Sequence, residues 1–212
     1  MEQTVFIWDL DGTLLDSYPI IVQSLRQALA EQGVFREVEE IYRHVIAYSV
    51  GSFIEKTIGE ASLCAEQLRK RYAQLNHERD MQIKLMPHAQ QVLQQTADRG
   101  CRHYVYTHKG SASCAILENT GILPFFEEVV TSRNGFASKP NPAALDYLIE
   151  KYRLKKEHCF YVGDRRVDVE CAVNAGIKSI LFLPEGGYGE KTGKEDRVVF
   201  DLLDIIDLFR QQ

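Results

Sequence analysis

The stretch Thr4-Val5-Phe6-Ile7-Trp8-Asp9-Leu10-Asp11-Gly12-Thr13 decides how this chain is read. Its first half is a β-branched and aromatic run of strand length, made of residues that fit a pleated, packed surface. The run ends in an acid, and Asp11-Gly12 places a turn signal directly behind it. Because Val5 to Trp8 is apolar without alternation, the expected strand is buried on both faces, as strands of parallel sheets are.

Outward from that strand, short runs of the same kind recur at Tyr104-Val105-Tyr106, Val129-Val130, Cys159 to Val162 and Ser179 to Leu183. Helical patterns lie between them. Pro87 opens one, with Val92 and Leu93 inward and Gly100 at its end. Ser111 is a candidate N-cap for a helix through Ala115, Ile116 and Asn119 that stops near Gly121. Asn141 and Pro142 read as a cap and first-turn proline for a helix through Leu145, Leu148 and Ile149. Val167 to Ala175 forms another, closed by Gly176. Repeated strand-helix-strand units with short connections predict an α/β fold with a doubly wound, Rossmann-like parallel sheet.

One region breaks this rhythm. From Ser17 to Leu85 the pattern is helical throughout, with apolar spacing at Ile21, Leu25, Ala28 and Leu29 and again at Leu68, Tyr72 and Leu75. The expected organisation is therefore a core of residues 1–16 and 86–212, with a small helical cap, residues 17–85, inserted after the first strand. A length of 212 residues suits one such domain with a modest insertion.

Composition narrows the function classes. A net charge of −5 argues against a nucleic-acid partner, which calls for a basic patch. No apolar run is long enough to span a bilayer and the start lacks a leader pattern, so no membrane partner and a cytoplasmic location are expected. The five cysteines are scattered without a Cys-x-x-Cys pair and read as small buried thiols rather than metal ligands. Gly186-Gly187-Tyr188-Gly189-Glu190-Lys191-Thr192-Gly193-Lys194 imitates a phosphate loop, but Glu195 stands where a hydroxyl is required, and a flexible loop is expected. The oligomeric state is left open.

In open parallel sheets, ligands bind beyond the carboxyl ends of the strands. Asp9 and Asp11 follow the first strand, Thr107 the second, and Asp164 and Asp168 a later one. Lys139 sits in a loop before the proline-capped helix. Taken singly, each is explained by a turn, a cap or a solvated loop. Together they place four carboxylates, a hydroxyl and an ammonium at one edge. That set suits phosphoryl chemistry. A phosphomonoester repels an incoming anion, and carboxylate-bound magnesium offsets that repulsion. Asp9 is suited to be the nucleophile and Asp11 the general acid and base. Thr107 and the next backbone N–H, that of His108, can donate to phosphoryl oxygens while Lys139 offsets their charge.

On these residues the chain resembles the haloacid dehalogenase superfamily, in the branch of phosphoglycolate-phosphatase-like proteins with a helical cap. The resemblance runs almost end to end. It rests on Phe6 to Ser17, Met86-Pro87-His88-Ala89, Tyr106-Thr107-His108-Lys109, Ser138-Lys139-Pro140-Asn141-Pro142, Tyr161-Val162-Gly163-Asp164 with Asp168, and Ala175-Gly176-Ile177. It implies an aspartyl-phosphate on Asp9 with Asp11 as acid and base. It also implies Mg2+ held by the Asp9 carboxylate, the Asp11 carbonyl and Asp164, with Asp168 assisting, and phosphoryl binding by Thr107, His108 and Lys139. His108 departs from the asparagine often found there, and Arg165-Arg166 follow Asp164 directly.

The expected substrate is a small phosphorylated metabolite. The segment His44 to Ser52 lines up with the family's cap specificity loop, making Arg43, Tyr48 and Ser49 candidate leaving-group contacts. Alternatives on the same scaffold are a sugar phosphomutase, which shares the phosphoryl-transfer residues, and a dehalogenase, which needs no leaving-group acid. A non-catalytic phosphate-binding protein is the third.

Overall fold

The structure is a computed structural model that describes residues 3–61 and 63–209. Strand β1 (Val5–Trp8) runs into a tight turn and the short β2 (Leu15–Asp16). Helices α1 (Tyr18–Ala30), α2 (Val38–Ala47), α3 (Val50–Ala61) and α4 (Ala65–Arg79) follow. The chain then forms β3 (Lys84–Leu85), α5 (Ala89–Ala97), β4 (Arg102–Tyr106), α6 (Ala112–Asn119) and β5 (Glu128–Val130). It continues with α7 (Ala143–Tyr152), β6 (Cys159–Gly163), α8 (Arg166–Ala175), β7 (Lys178–Phe182) and β8 (Arg197–Val199).

Ser17–Ile83 is one compact unit and the remainder of the described chain is the other. In the helical unit α1 packs on α4. Leu25, Ala28, Leu29, Leu68 and Leu75 are buried, and Tyr72 is half-buried. Arg79 of α4 reaches α1, donating to Ser24 Oγ at 3.0 Å and to Gln27 Oε1 at 2.5 Å.

The core unit is an α/β fold whose six-stranded sheet has the order β5-β4-β1-β6-β7-β8, with every pairing parallel. Strand β1 is buried on both faces, as its unbroken apolar run predicts. Val5 and Ile7 join a cluster with Tyr104, Leu145, Leu148, Tyr161 and Ala172, while Phe6 and Trp8 meet Phe160 and His103. The chain winds one way from β1 through β4 to β5, and the other way from β6 through β7 to β8. The carboxyl ends of β1 and β6 therefore flank the switch point where such sheets open a crevice.

The structure corrects several expectations. Lys84–Leu85 is not helical but pairs antiparallel with Leu15–Asp16, which draws the chain back to the core unit. Strand β8 was not anticipated; only three residues long and apolar only at Val198 and Val199, it carries little sequence signal. Ser111 stands at the N-cap of α6, but its backbone is already helical and its side chain makes no capping bond. Pro142 itself occupies the N-cap of α7, and Asn141 Oδ1 accepts the Ala143 N–H at 2.9 Å. Cys159 and Cys171 are buried, whereas Cys64 and Cys114 are exposed, because one precedes α4 and the other lies on the outer side of α6. In the glycine-rich loop Gly189 is packed, since a Cβ there would stand 2.7 Å from Leu183 and 3.0 Å from the Asp164 carbonyl oxygen. No described helix is long and apolar enough to cross a membrane.

Candidate active site

Behind Asp9 the chain turns sharply. The Leu10 carbonyl accepts the N–H groups of Thr13, Leu14 and Leu15 at 3.1, 3.0 and 2.9 Å, while Gly12 takes a φ of 81° that side chains disfavour. This turn follows Asp9 directly, and Asp11 lies within it. Asp9 itself is tied to β6 by its N–H, which donates to the Val162 carbonyl at 2.9 Å.

From β6 and the start of α8 come Asp164 and Asp168. Asp9, Asp164 and Asp168 are all buried, and each offers a carboxylate oxygen within 4.8 Å of the others. Gly163 makes this approach possible, because a Cβ at that position would lie 2.3 Å from Asp168 Cβ. Thr13 Oγ1 donates to Asp164 Oδ1 at 3.3 Å. Asp168 Oδ2 accepts the Arg165 N–H at 3.1 Å, and its Oδ1 accepts from Tyr161 at 3.4 Å.

Lys139 neutralises part of this charge. Its ammonium is fully buried and donates to Asp9 Oδ1 and Asp168 Oδ1, each at 2.8 Å. The rings of Tyr106 and Tyr161 stand 5.0 and 5.2 Å from the same nitrogen, a favourable cation–π setting. Burial alone would lower the Lys139 ammonium's pKa, but Asp168 and Asp9 outweigh it and hold the group above the ordinary lysine range. Burial raises the Asp9 carboxyl above the usual range against the pull of Lys139, with Asp168 adding to the rise. At Asp168 burial is overcome by Lys139 and Arg165, and its carboxyl is held low.

Three buried carboxylates, two of them bonded to one ammonium, make an all-oxygen donor set rich in acid. Those features fit a hard divalent cation. Both oxygens of Asp168 already accept hydrogen bonds from the protein.

The second strand end supplies Thr107, buried, with its N–H donating to the Val130 carbonyl at 3.0 Å. On the same loop His108 Nε2 accepts the Lys139 N–H at 2.9 Å. Although the residue keeps an exposed face, partial desolvation of its ring, with Lys139 and Arg165 adding to the effect, lowers the imidazole below the ordinary histidine range, so the ring is neutral and keeps the lone pair this bond needs. Sequence reasoning missed that contact, and it missed Lys109, whose Nζ lies 3.1 Å from Asp11 Oδ1. The Asp11 carboxylate thus has an ammonium partner other than Lys139. Arg165 lies half-buried at the start of α8 and Arg166 is exposed.

The candidate specificity residues belong to the helical unit. Arg43 pairs with Glu39 one helical turn away at 2.8 Å. Tyr48 is 65% exposed, and its ring is tilted against that of His44. Ser49 Oγ accepts the Ser52 N–H at 3.0 Å, opening α3.

The parallel sheet thus gathers acids at its switch point, with Lys139 among them and a hydroxyl on the next strand end. The haloacid dehalogenase-like hydrolase model matches residues 6–182, and the chain belongs to that family. Its relatives include a phosphoglycolate phosphatase of Vibrio parahaemolyticus, 29% identical with 95% of this chain and 93% of that protein covered. A phosphoglycolate phosphatase of Vibrio cholerae is 30% identical, covering 86% and 85%. Among solved structures, a hydrolase from Streptococcus pneumoniae TIGR4 is 31% identical with a TM-score of 0.65, covering 86% of this chain and 94% of that one. A predicted phosphoglycolate phosphatase from Haemophilus somnus shares the fold at a TM-score of 0.87 and 22% identity, covering 99% of each chain.

Proposed function

We propose that this chain is a magnesium-dependent phosphatase that hydrolyses a small phosphorylated metabolite through an aspartyl-phosphate on Asp9. The observation that carries the reading is the buried Asp9, Asp164 and Asp168 cluster, with Lys139 bonded to two of its members.

Asp9, Asp164 and the Asp11 carbonyl would hold the magnesium, with Asp168 assisting. When bound, the ion supplies the positive charge that offsets phosphate repulsion and keeps the buried Asp9 carboxyl ionised. Asp9 attacks phosphorus, and the bond from phosphorus to the leaving oxygen breaks. Asp11 delivers a proton to that oxygen and later takes one from the water that hydrolyses the aspartyl-phosphate. Thr107 and the His108 N–H donate to phosphoryl oxygens, and Lys139 offsets their charge. Lys139 also fixes Asp9 and Asp168 relative to each other. Arg43, Tyr48 and Ser49 are proposed leaving-group contacts, and Ser17–Ile83 is proposed to act as the cap.

The named relatives make phosphoglycolate the first substrate to assay. The test is hydrolysis of p-nitrophenyl phosphate and phosphoglycolate with and without magnesium. Activity that vanishes with a chelator, returns with magnesium, and is lost in Asp9→Asn is expected. Metal-independent turnover, or an active Asp9→Asn protein, would overturn the reading.

A further inference from the structure

Asp9 and Asp11 stand two residues apart, yet each has its own ammonium. Lys139 serves Asp9 and Asp168. Lys109 serves Asp11, with its side chain only 8% exposed and its Nζ 3.1 Å from Asp11 Oδ1. The Lys109 backbone is held at both ends. Its N–H donates to Thr107 Oγ1 at 3.1 Å, and its carbonyl accepts the Ser132 N–H at 3.3 Å and the Ser132 hydroxyl at 3.4 Å. Asp11 is held as firmly along its main chain, because Leu10 and Gly12 on either side bond within the turn. With both backbones fixed, what remains to be set is the rotamer of the Asp11 side chain.

We infer that Lys109 is a positioning residue, which by bonding Oδ1 holds the Asp11 carboxyl in the orientation from which it protonates the leaving oxygen. This rests on Asp11 acting as the general acid proposed above. Lys109 touches neither phosphorus nor the leaving group in this account. Its ammonium is spent on one oxygen of Asp11, and it acts on the reaction only through that carboxyl. Misplacing a reacting group by about 1 Å can cost on the order of 100-fold in rate.

The consequence is graded. A basic alkoxide needs its proton as the bond to phosphorus breaks, whereas p-nitrophenolate departs with little help. Loss of Lys109 therefore costs alkyl phosphates more than aryl phosphates. The quantity to read is kcat/KM, which reports the steps through departure of the leaving group.

The experiment measures kcat/KM on p-nitrophenyl, phenyl and alkyl phosphates for the wild type, Lys109→Met, Lys109→Arg and Asp11→Asn, all with magnesium. Lys109→Met should lose about 10- to 100-fold on alkyl phosphates and about threefold or less on p-nitrophenyl phosphate. Lys109→Arg should recover most of the alkyl-phosphate rate, and Asp11→Asn should give the steepest dependence on leaving-group basicity. A partly unfolded preparation lowers every substrate alike and leaves that dependence unchanged, so the comparison survives imperfect folding. A uniform loss in Lys109→Met across all substrates, as a role in phosphate binding or in folding alone would give, would overturn the inference, and so would no loss. If Asp11→Asn itself shows no leaving-group dependence, the general-acid reading of Asp11 fails and the inference falls with it. A normal Asp11→Asn response with a flat Lys109→Met response refutes the inference alone.

Discussion

The carboxyl edge of the core sheet and the turn between α2 and α3 of the helical unit are both built from polar side chains, and they are built in opposite ways. At the sheet edge the partners are remote in sequence, with Lys139 and Asp9 buried and Lys109 and Asp11 partly buried. Lys139 meets Asp9 across 130 residues, and Lys109 meets Asp11 across 98. At the helical turn the partners are local, and Glu39, Arg43 and Tyr48 among them are exposed. Arg43 pairs with Glu39 within one helix, Ser49 receives Ser52, and Tyr48 leans on His44. Burying charge carries a heavy desolvation cost that only good mutual geometry offsets, so a buried constellation admits few substitutes. An exposed pair one helical turn apart contributes only a few tenths of a kcal/mol and is easily replaced. One region thus admits few substitutions, and the other is free to vary.

The largest effect that would sharpen this contrast is expected from Lys139→Met. Without the ammonium, Asp9 and Asp168 are left close together and buried. Breaking a buried ion pair by removing one partner costs about 3–5 kcal/mol. Denaturant unfolding should show a loss of that order, with turnover of p-nitrophenyl phosphate falling by at least about 100-fold. A stable, active Lys139→Met protein would erase the distinction between the two regions.

Next comes the support beneath Asp9. Trp8 Nε1 donates to His103 Nδ1 at 3.0 Å, and the other ring nitrogen lies 3.1 Å from Thr96 Oγ1 on α5. A neutral ring is required to accept from Trp8, and burial lowers His103 to about 4, slightly opposed by Glu127. The folded state therefore binds fewer protons than the unfolded one. The stabilisation is complete above the unfolded value of about 6.5 and is lost as pH falls toward 4. Between pH 7.5 and 5 the stability should drop by about 2 kcal/mol from this ring. His103→Phe should flatten that slope in denaturant titrations, whatever its stability at pH 7.5.

A smaller effect is expected at His108. His108→Ala removes the acceptor of the Lys139 N–H and should lower kcat by about tenfold with KM little changed. His108→Gln, whose side-chain oxygen reaches the place of Nε2 and can accept the same bond, should keep most of the activity. Equal losses in the two variants would show that the accepted hydrogen bond is not what matters.

The smallest effects belong to the helical turn. Tyr48→Ala and Arg43→Ala should leave stability within about 0.5 kcal/mol. They should also leave turnover of p-nitrophenyl phosphate near wild type while reordering kcat/KM among natural phosphate esters. A loss as large as that in Lys139→Met would place these residues in the chemistry itself.

Much of the core unit was legible because β1, β4, β6 and β7 are concentrated apolar runs and their helices carry strong stops such as Gly176, which caps α8 at a φ of 69°. The acids at the strand ends followed from the topology rule. What stayed hidden depends on neighbours. Strand β8 pairs through three residues that only the existing β7 edge makes a strand. The pairing of Leu15–Asp16 with Lys84–Leu85 is set by where the chain must return. Thr13 on Asp164, Lys109 on Asp11 and His108 on the Lys139 N–H are long-range hydrogen bonds, and no local pattern announces them. Gly163 looked like part of a motif, and only the packed Asp168 side chain shows why a Cβ has no room there.

The central claim, that Asp9 carries the phosphoryl group, is tested most directly by rapid quenching during turnover with magnesium, followed by borohydride reduction and peptide mass spectrometry. An aspartyl-phosphate is reduced to homoserine, whereas a free aspartate is not. The account predicts homoserine at position 9 and at no other acid, absent when substrate is withheld. Turnover with no reducible aspartate, or with the label at Asp11, Asp164 or Asp168 instead, would contradict it.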